Sequence, residues 1–133
     1  MKRLTRQELF DNAARGVLKQ GRRALDANGG CLYLAGNSRC GIGHSIPDGH
    51  EGLQYKGDVE GLVGYHLDLA DLFDAPINMA FLKELQRAHD NAGMGFIPDF
   101  APCFRKAMRD IAKYYKLNTD SLDEDLTSSP KSV

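Results

Sequence analysis

CLYLAGNSRCGIGHSIPDGH, residues 31–50, is the stretch on which the fold turns. Two short runs, 31–35 and 39–43, flank Gly36, Asn37 and Ser38. Glycine and asparagine tolerate the left-handed backbone angles of a tight connection, so the stretch predicts a β-hairpin. A two-stranded hairpin is marginal alone in water. It must pack on helices or pair with another chain's edge. Directly after it, Ser45, Ile46, Pro47 and Asp48 read as a helix start. Ser45 would be the cap, and Pro47 would sit in the first turn, where its missing N–H costs nothing.

The rest of the chain supplies helices. Thr5 and Glu8 have the spacing of a capping box. Phe10, Ala13, Ala14, Val17 and Leu18 then repeat at helical spacing and form one apolar face, with Gly21 as the stop. Arg6, Arg15, Lys19 and Arg22 lie off that face, and the reading places them toward solvent. Residues 59–73 fit two periods. Leu62, His66, Leu69 and Phe73 make a helical stripe, whereas Val63, Tyr65, Leu67 and Leu69 alternate as in a strand; the reading favours a short helix. Asn78 can cap a helix over 79–90 with Phe81, Leu82, Leu85, Ala88 and His89 on one side. A last stripe runs through Phe100, Cys103, Phe104, Ala107, Met108, Ile111, Ala112 and Tyr115, and makes Cys103 a core residue. The expected class is α+β: three main amphipathic helices and one or two short ones around a small hairpin. Residues 1–117 form one domain. Residues 118–133, acidic and rich in serine, read as a disordered tail.

Seven of the 14 glycines fall between positions 41 and 64, which makes that region rich in turns. No apolar run approaches the ~20 residues of a membrane span. Glu8, Asp11 and Asn12 interrupt any signal-peptide core, so a cytoplasmic chain with three free thiols is expected. The net charge of −1 hides an asymmetry, because residues 1–23 carry seven basic and two acidic side chains. Such a segment can bind nucleic acid. It lacks the interleaved aromatics that single-strand stacking uses.

Cys31, Cys40, His44 and His50 are all ligand types for zinc. With a two-residue loop at Asn37 and Ser38, residue 35 faces 40 and Cys31 faces His44. Cys31 and Cys40 then lie about 13 Å apart along the strands, too far for one ion or a disulfide. No metal is assigned on this reading. Cys31 and His44, with Asp48 to orient the ring, could form a thiol–imidazole dyad. Gly41, Ile42 and Gly43 before a helix start suggest an anion site, but the spacing matches no phosphate loop and Asp48 would repel the anion. His89 and Asp90 end a helix, where a cationic histidine complements the dipole.

The run C-x-Y (Cys31, Tyr33), then Cys40, Ile42, Gly43, Ile46, Pro47 and Asp48, then Glu60 and Gly61, then Leu85, Gln86, His89 and Asp90 resembles a group of small phage and prophage accessory proteins over roughly residues 7–117. In that group the position of His44 is often another residue, which weakens the dyad and the zinc set. The resemblance implies a small cytoplasmic protein of the infected or lysogenic host that acts by binding, as a counter-defence inhibitor or host-takeover factor. It implies no cofactor and leans away from an enzyme. A host or defence protein ranks first as partner. A nucleotide-like small molecule ranks second, held near Tyr33, Cys40, His44, Asp48, His89 and Asp90. Nucleic acid ranks third, and a membrane is not expected. The partner surface would be the hairpin and the loop after it, or the basic face of Arg6, Arg15, Lys19, Arg22 and Arg23. A homodimer is compatible with the hairpin's open edge.

Overall fold

The computed structural model describes residues 3–20, 33–36, 38–90 and 100–123. The class is α+β: five helices carry a two-stranded antiparallel hairpin. Helix α1 (Arg6–Gln20) starts as its capping box predicts. The Thr5 N–H donates to Glu8 Oε1 at 2.8 Å, and the Glu8 N–H donates to Thr5 Oγ1 at 3.0 Å. Two of the four orphan donors of the helix end are thereby satisfied. Phe10, Ala13, Ala14 and Val17 are fully buried, as their spacing requires. Gly21 lies outside the described residues.

The hairpin is shorter than expected and in a different register. Strands β1 (Leu34–Ala35) and β2 (Ser38–Arg39) pair Leu34 with Arg39 and Ala35 with Ser38. Ala35 therefore faces Ser38 and not Cys40, and Gly36 follows it at φ +61°. Cys40 faces Tyr33, whose carbonyl accepts its N–H at 3.4 Å. No helix starts at Ser45. Ile46, the residue before Pro47, is extended at φ −88° and ψ 130°, as proline demands of its predecessor. Short 3₁₀ turns occupy Gly43–Ser45 and Glu51–Gln54 instead.

The stretch 59–73 is two helices, α2 (Val59–Tyr65) and α3 (Leu67–Phe73), broken at His66. The helical stripe buries Leu62, Leu69 and Phe73, while Tyr65 and Leu67 of the alternating pattern are exposed. Helix α4 runs Ala75–Asp90, so Asn78 is interior and not its cap. The helix starts earlier because Asp74 adopts φ 52° and offers its carbonyl to the N–H groups of Ile77 and Asn78. Pro76 then fits the first turn. Asn78 has another role: its Nδ2 donates to the Phe73 carbonyl at 2.9 Å, and its Oδ1 accepts from Arg6 Nε at 2.7 Å. It joins α1, α3 and α4.

Helix α5 (Phe100–Tyr115) packs against α4 and α1. The packed domain continues past the expected boundary at 117. Gln7 Nε2 donates to the Asn118 carbonyl at 3.0 Å, and Gln7 Oε1 accepts the Asn118 N–H at 2.9 Å. A 3₁₀ turn at Asp120–Leu122 seals the far side of α1, with Leu122 fully buried and Ser121 almost so. An apolar side chain was available at Leu122, and its burial outweighs the polar surroundings that suggested a tail from 118. Residues 124–133 lie outside the described residues.

Candidate functional site

Of the six residues singled out as ligand-binding, Tyr33, Cys40 and Asp90 with its neighbour His89 come together, while His44 and Asp48 line a different cleft. Cys40 is buried without exposure. Its Sγ accepts the Gly43 N–H at 3.2 Å, so it shapes the turn that follows the hairpin. Burial pushes its thiol up to about 12. A thiol that stays protonated is no nucleophile at neutral pH. Tyr33 is also buried. Its hydroxyl donates to the Gly57 carbonyl at 3.0 Å, and burial raises its pKa. His89 is fully buried at the end of α4, with Nδ1 2.9 Å from Asp90 Oδ1. The charge of Asp90 is felt by both Tyr33 and Cys40, so the hairpin and the end of α4 do converge. They converge as packed core. Only Asp90 borders an open cavity there, about 410 Å³, with Asp58, Lys83, Gln86 and Arg87 around it.

His44 and Asp48 line a separate cleft of about 420 Å³ beside α1. Arg39 organises its wall. Its guanidinium donates to the carbonyls of Gly43 and Ile46 and to the Asp48 carboxylate, which is itself exposed. Gln20 braces the same loop by donating to the Arg39 carbonyl and accepting the Arg39 N–H. The His44 ring lies flat on α1 over Gly16, where an added Cβ would stand 2.3 Å from it. His44 is not a strand residue facing Cys31, because it sits in the 3₁₀ turn after the hairpin. Cys31 lies outside the described residues.

Burial and the nearby Arg39 charge lower His44 to about 4. The ring is therefore neutral at pH 7, and Nε2–H donates to Gln20 Oε1 at 3.0 Å. The sign of the pH effect follows. As pH falls below the ordinary value of 6.5, the unfolded chain takes up a proton that the folded chain refuses until about 4. Stability is lost across that window, by roughly 2 kcal/mol after discounting for the solvent-facing part of the ring. The urea midpoint should fall from pH 7 to pH 4 by more in the wild type than in His44→Gln. Equal slopes in the two proteins would refute the assignment.

Of the basic N-terminal face, Arg6 is spent inside the molecule. Arg6 does not face solvent: it bonds Asn78 and lies over the rings of Tyr115 and Phe81, 5.0 and 5.9 Å from their centroids. Arg3 pairs with Asp71 at 2.8 Å. Arg15 and Lys19 are exposed, and Arg22 and Arg23 lie outside the described residues. On α5, Arg105 donates to the Leu122 carbonyl, and Arg109 pairs with Asp123.

One apolar opening was not anticipated. It is a groove of about 420 Å³ between α4 and α5, floored by Ala88, Cys103, Ala107 and Ile111 and flanked by Tyr114 and Glu84. Tyr114 is 80% exposed. Ile77, 69% exposed, lies two turns before Glu84 on the same side of α4. Cys103 thus lies in the floor of this groove, half-buried against the core and not within it. The sequence signal was the width of the α5 stripe. Of its eight apolar residues, only Phe104, Met108, Ile111 and Ala112 are buried.

The zinc set weighed and set aside in the sequence has three members among the described residues, and they point to different places. Cys40 faces the core, His44 faces α1, and His50 faces Asp68 on α3. Among the described residues no helix is long and apolar enough to cross a membrane. Compared with protein-family models, curated proteins and solved structures, the chain matches none.

Proposed function

We propose that the chain acts by binding a partner protein, as a small phage-type accessory factor, and that it seats an amphipathic helix of that partner in the α4–α5 groove. The observation that carries this reading is the groove itself. Two helices leave an apolar trough between them, with Glu84 and Arg87 on one rim and Asp110 on the other. A helix of about four turns that is apolar on one face and mixed in charge at its flanks fits such a trough, anchored at i, i+4 and i+7. Counter-defence inhibition and host takeover are both activities that such binding could serve. A catalytic reading has less support, because the Cys40 thiol, the Tyr33 hydroxyl and the His89 ring are all closed off from solvent.

The test is a photo-cross-linking side chain placed at Ala107, with Arg15 as the control position on α1. In host lysate, position 107 should give a discrete adduct and position 15 should not. The partner, once purified, should bind the wild type and lose at least tenfold in affinity for Ala107→Glu, which puts a charge in the floor of the trough. Circular dichroism confirms that the variant is folded. Equal adducts at both positions, or unchanged affinity for Ala107→Glu, would sink this reading.

A further inference from the structure

We propose that His50, His66 and Asp68 form a binding site for one divalent transition-metal ion of the zinc class. Each offers one ligand atom, and the three atoms lie within 4.8 Å of one another. Two imidazoles and a carboxylate are a recurrent donor set for such ions, with a remaining position open to water. The residues come from three places. His50 precedes the 3₁₀ turn at Glu51–Gln54, His66 forms the break between α2 and α3, and Asp68 stands in the first turn of α3. The two rings meet edge to face, 5.2 Å between centroids, and His50 Nε2 lies 2.7 Å from Asp68 Oδ2. Among the described residues the His66 ring has no hydrogen-bond partner. The His50 side chain is only 15% exposed and Asp68 52%, so the site is half sheltered and open on one side.

The hydrogen bonds around His50 dictate what binding must do. Its Nδ1 accepts the Gly52 N–H at 2.8 Å. The neutral ring therefore carries its proton on Nε2 and donates it to Asp68. An ion taken at Nε2 needs that lone pair, so the Nε2 proton leaves and Nδ1 takes one up, with no net change in protons. A protonated Nδ1 no longer accepts from Gly52. Ion binding thus releases the cap of the 51–54 turn. The ion's affinity is reduced by the cost of that lost bond, and the release gives the event a signature at a residue that is not a ligand.

The experiment uses the full, untagged chain. Cobalt is titrated first for its visible spectrum, and zinc by calorimetry. One ion per chain is expected, with a tetrahedral or five-coordinate cobalt spectrum and no thiolate charge-transfer band. Asp68→Asn, nearly the same shape, and His66→Ala should each weaken binding about 100-fold or more. The Gly52 amide should shift and lose hydrogen-exchange protection on zinc addition. No saturable binding, a thiolate band, wild-type affinity in Asp68→Asn or a Gly52 amide unmoved by bound zinc would each overturn the proposal. Asp68→Asn remains informative if His66→Ala fails to fold.

Discussion

Gly43→Ala should lower stability by about 3 kcal/mol or more, read as a fall in the urea midpoint at pH 7. The new Cβ would stand 2.2 Å from the Tyr33 carbonyl oxygen and 3.1 Å from Arg39 Cβ. A carbonyl in the hairpin cannot swing aside as a flexible side chain would. Relief requires the loop to move off β1, which also disturbs the Gly43 N–H bond to Cys40 Sγ and the Arg39 bonds to the carbonyls of Gly43 and Ile46. Gly64→Ala is the matched control. It lies exposed in α2 with nothing within 4 Å of an added Cβ. Helix propensity alone then acts, and stability should rise by up to about 1 kcal/mol, read as a higher midpoint. If both variants behave alike, the close approach at Gly43 is wrong.

Leu122→Ala should cost about 3 kcal/mol, the usual loss for a fully buried leucine whose cavity cannot collapse. This outcome separates a packed C-terminal turn from a loose tail, for which the same change would be near neutral. Leu122 has no exposure, and its carbonyl holds Arg105 Nε at 3.0 Å. Deleting residues 118–133 should therefore unfold or strongly destabilise the protein. Thermal melts of Leu122→Ala and of the deletion check this, and a deletion with an unchanged melting temperature would contradict the packing described above.

Much of the helical architecture was legible because it rests on local patterns. The Thr5–Glu8 box and the apolar repeats of α1 and α4 each depend on residues within a few turns. What was illegible depends on partners distant in the chain. Asn78 looks like a cap by its residue type, but Asp74 takes that place with a left-handed backbone, and Asn78 is free to bond Arg6 72 positions away. Ser45 lost its helix to Pro47, a local restriction that holds Ile46 extended and is legible in the sequence. The candidate site fared worse. A run of Cys, His and Asp drew attention to residues 31–50, yet the hairpin register turned Cys40 inward. His50 does take part in a cluster, but with His66 and Asp68, at spacings that resemble no ligand motif. The α4–α5 groove was hidden because a stripe alone does not tell how much of it the rest of the fold covers.

The clasp between Gln7 and Asn118 has a consequence for how the protein is made. Helix α1 leaves the ribosome before the other described elements, and the turn that closes over it leaves after them. Its two hydrogen bonds to Asn118 span 111 positions. A nascent chain that stops short of Leu122 leaves α1 with one side uncovered, however complete its middle is. Folding of this domain cannot finish until both ends of that 111-position span have emerged. The closing step waits for the turn at 120–122 to emerge, so a ribosome stalled before it would display an apolar helix to chaperones and proteases.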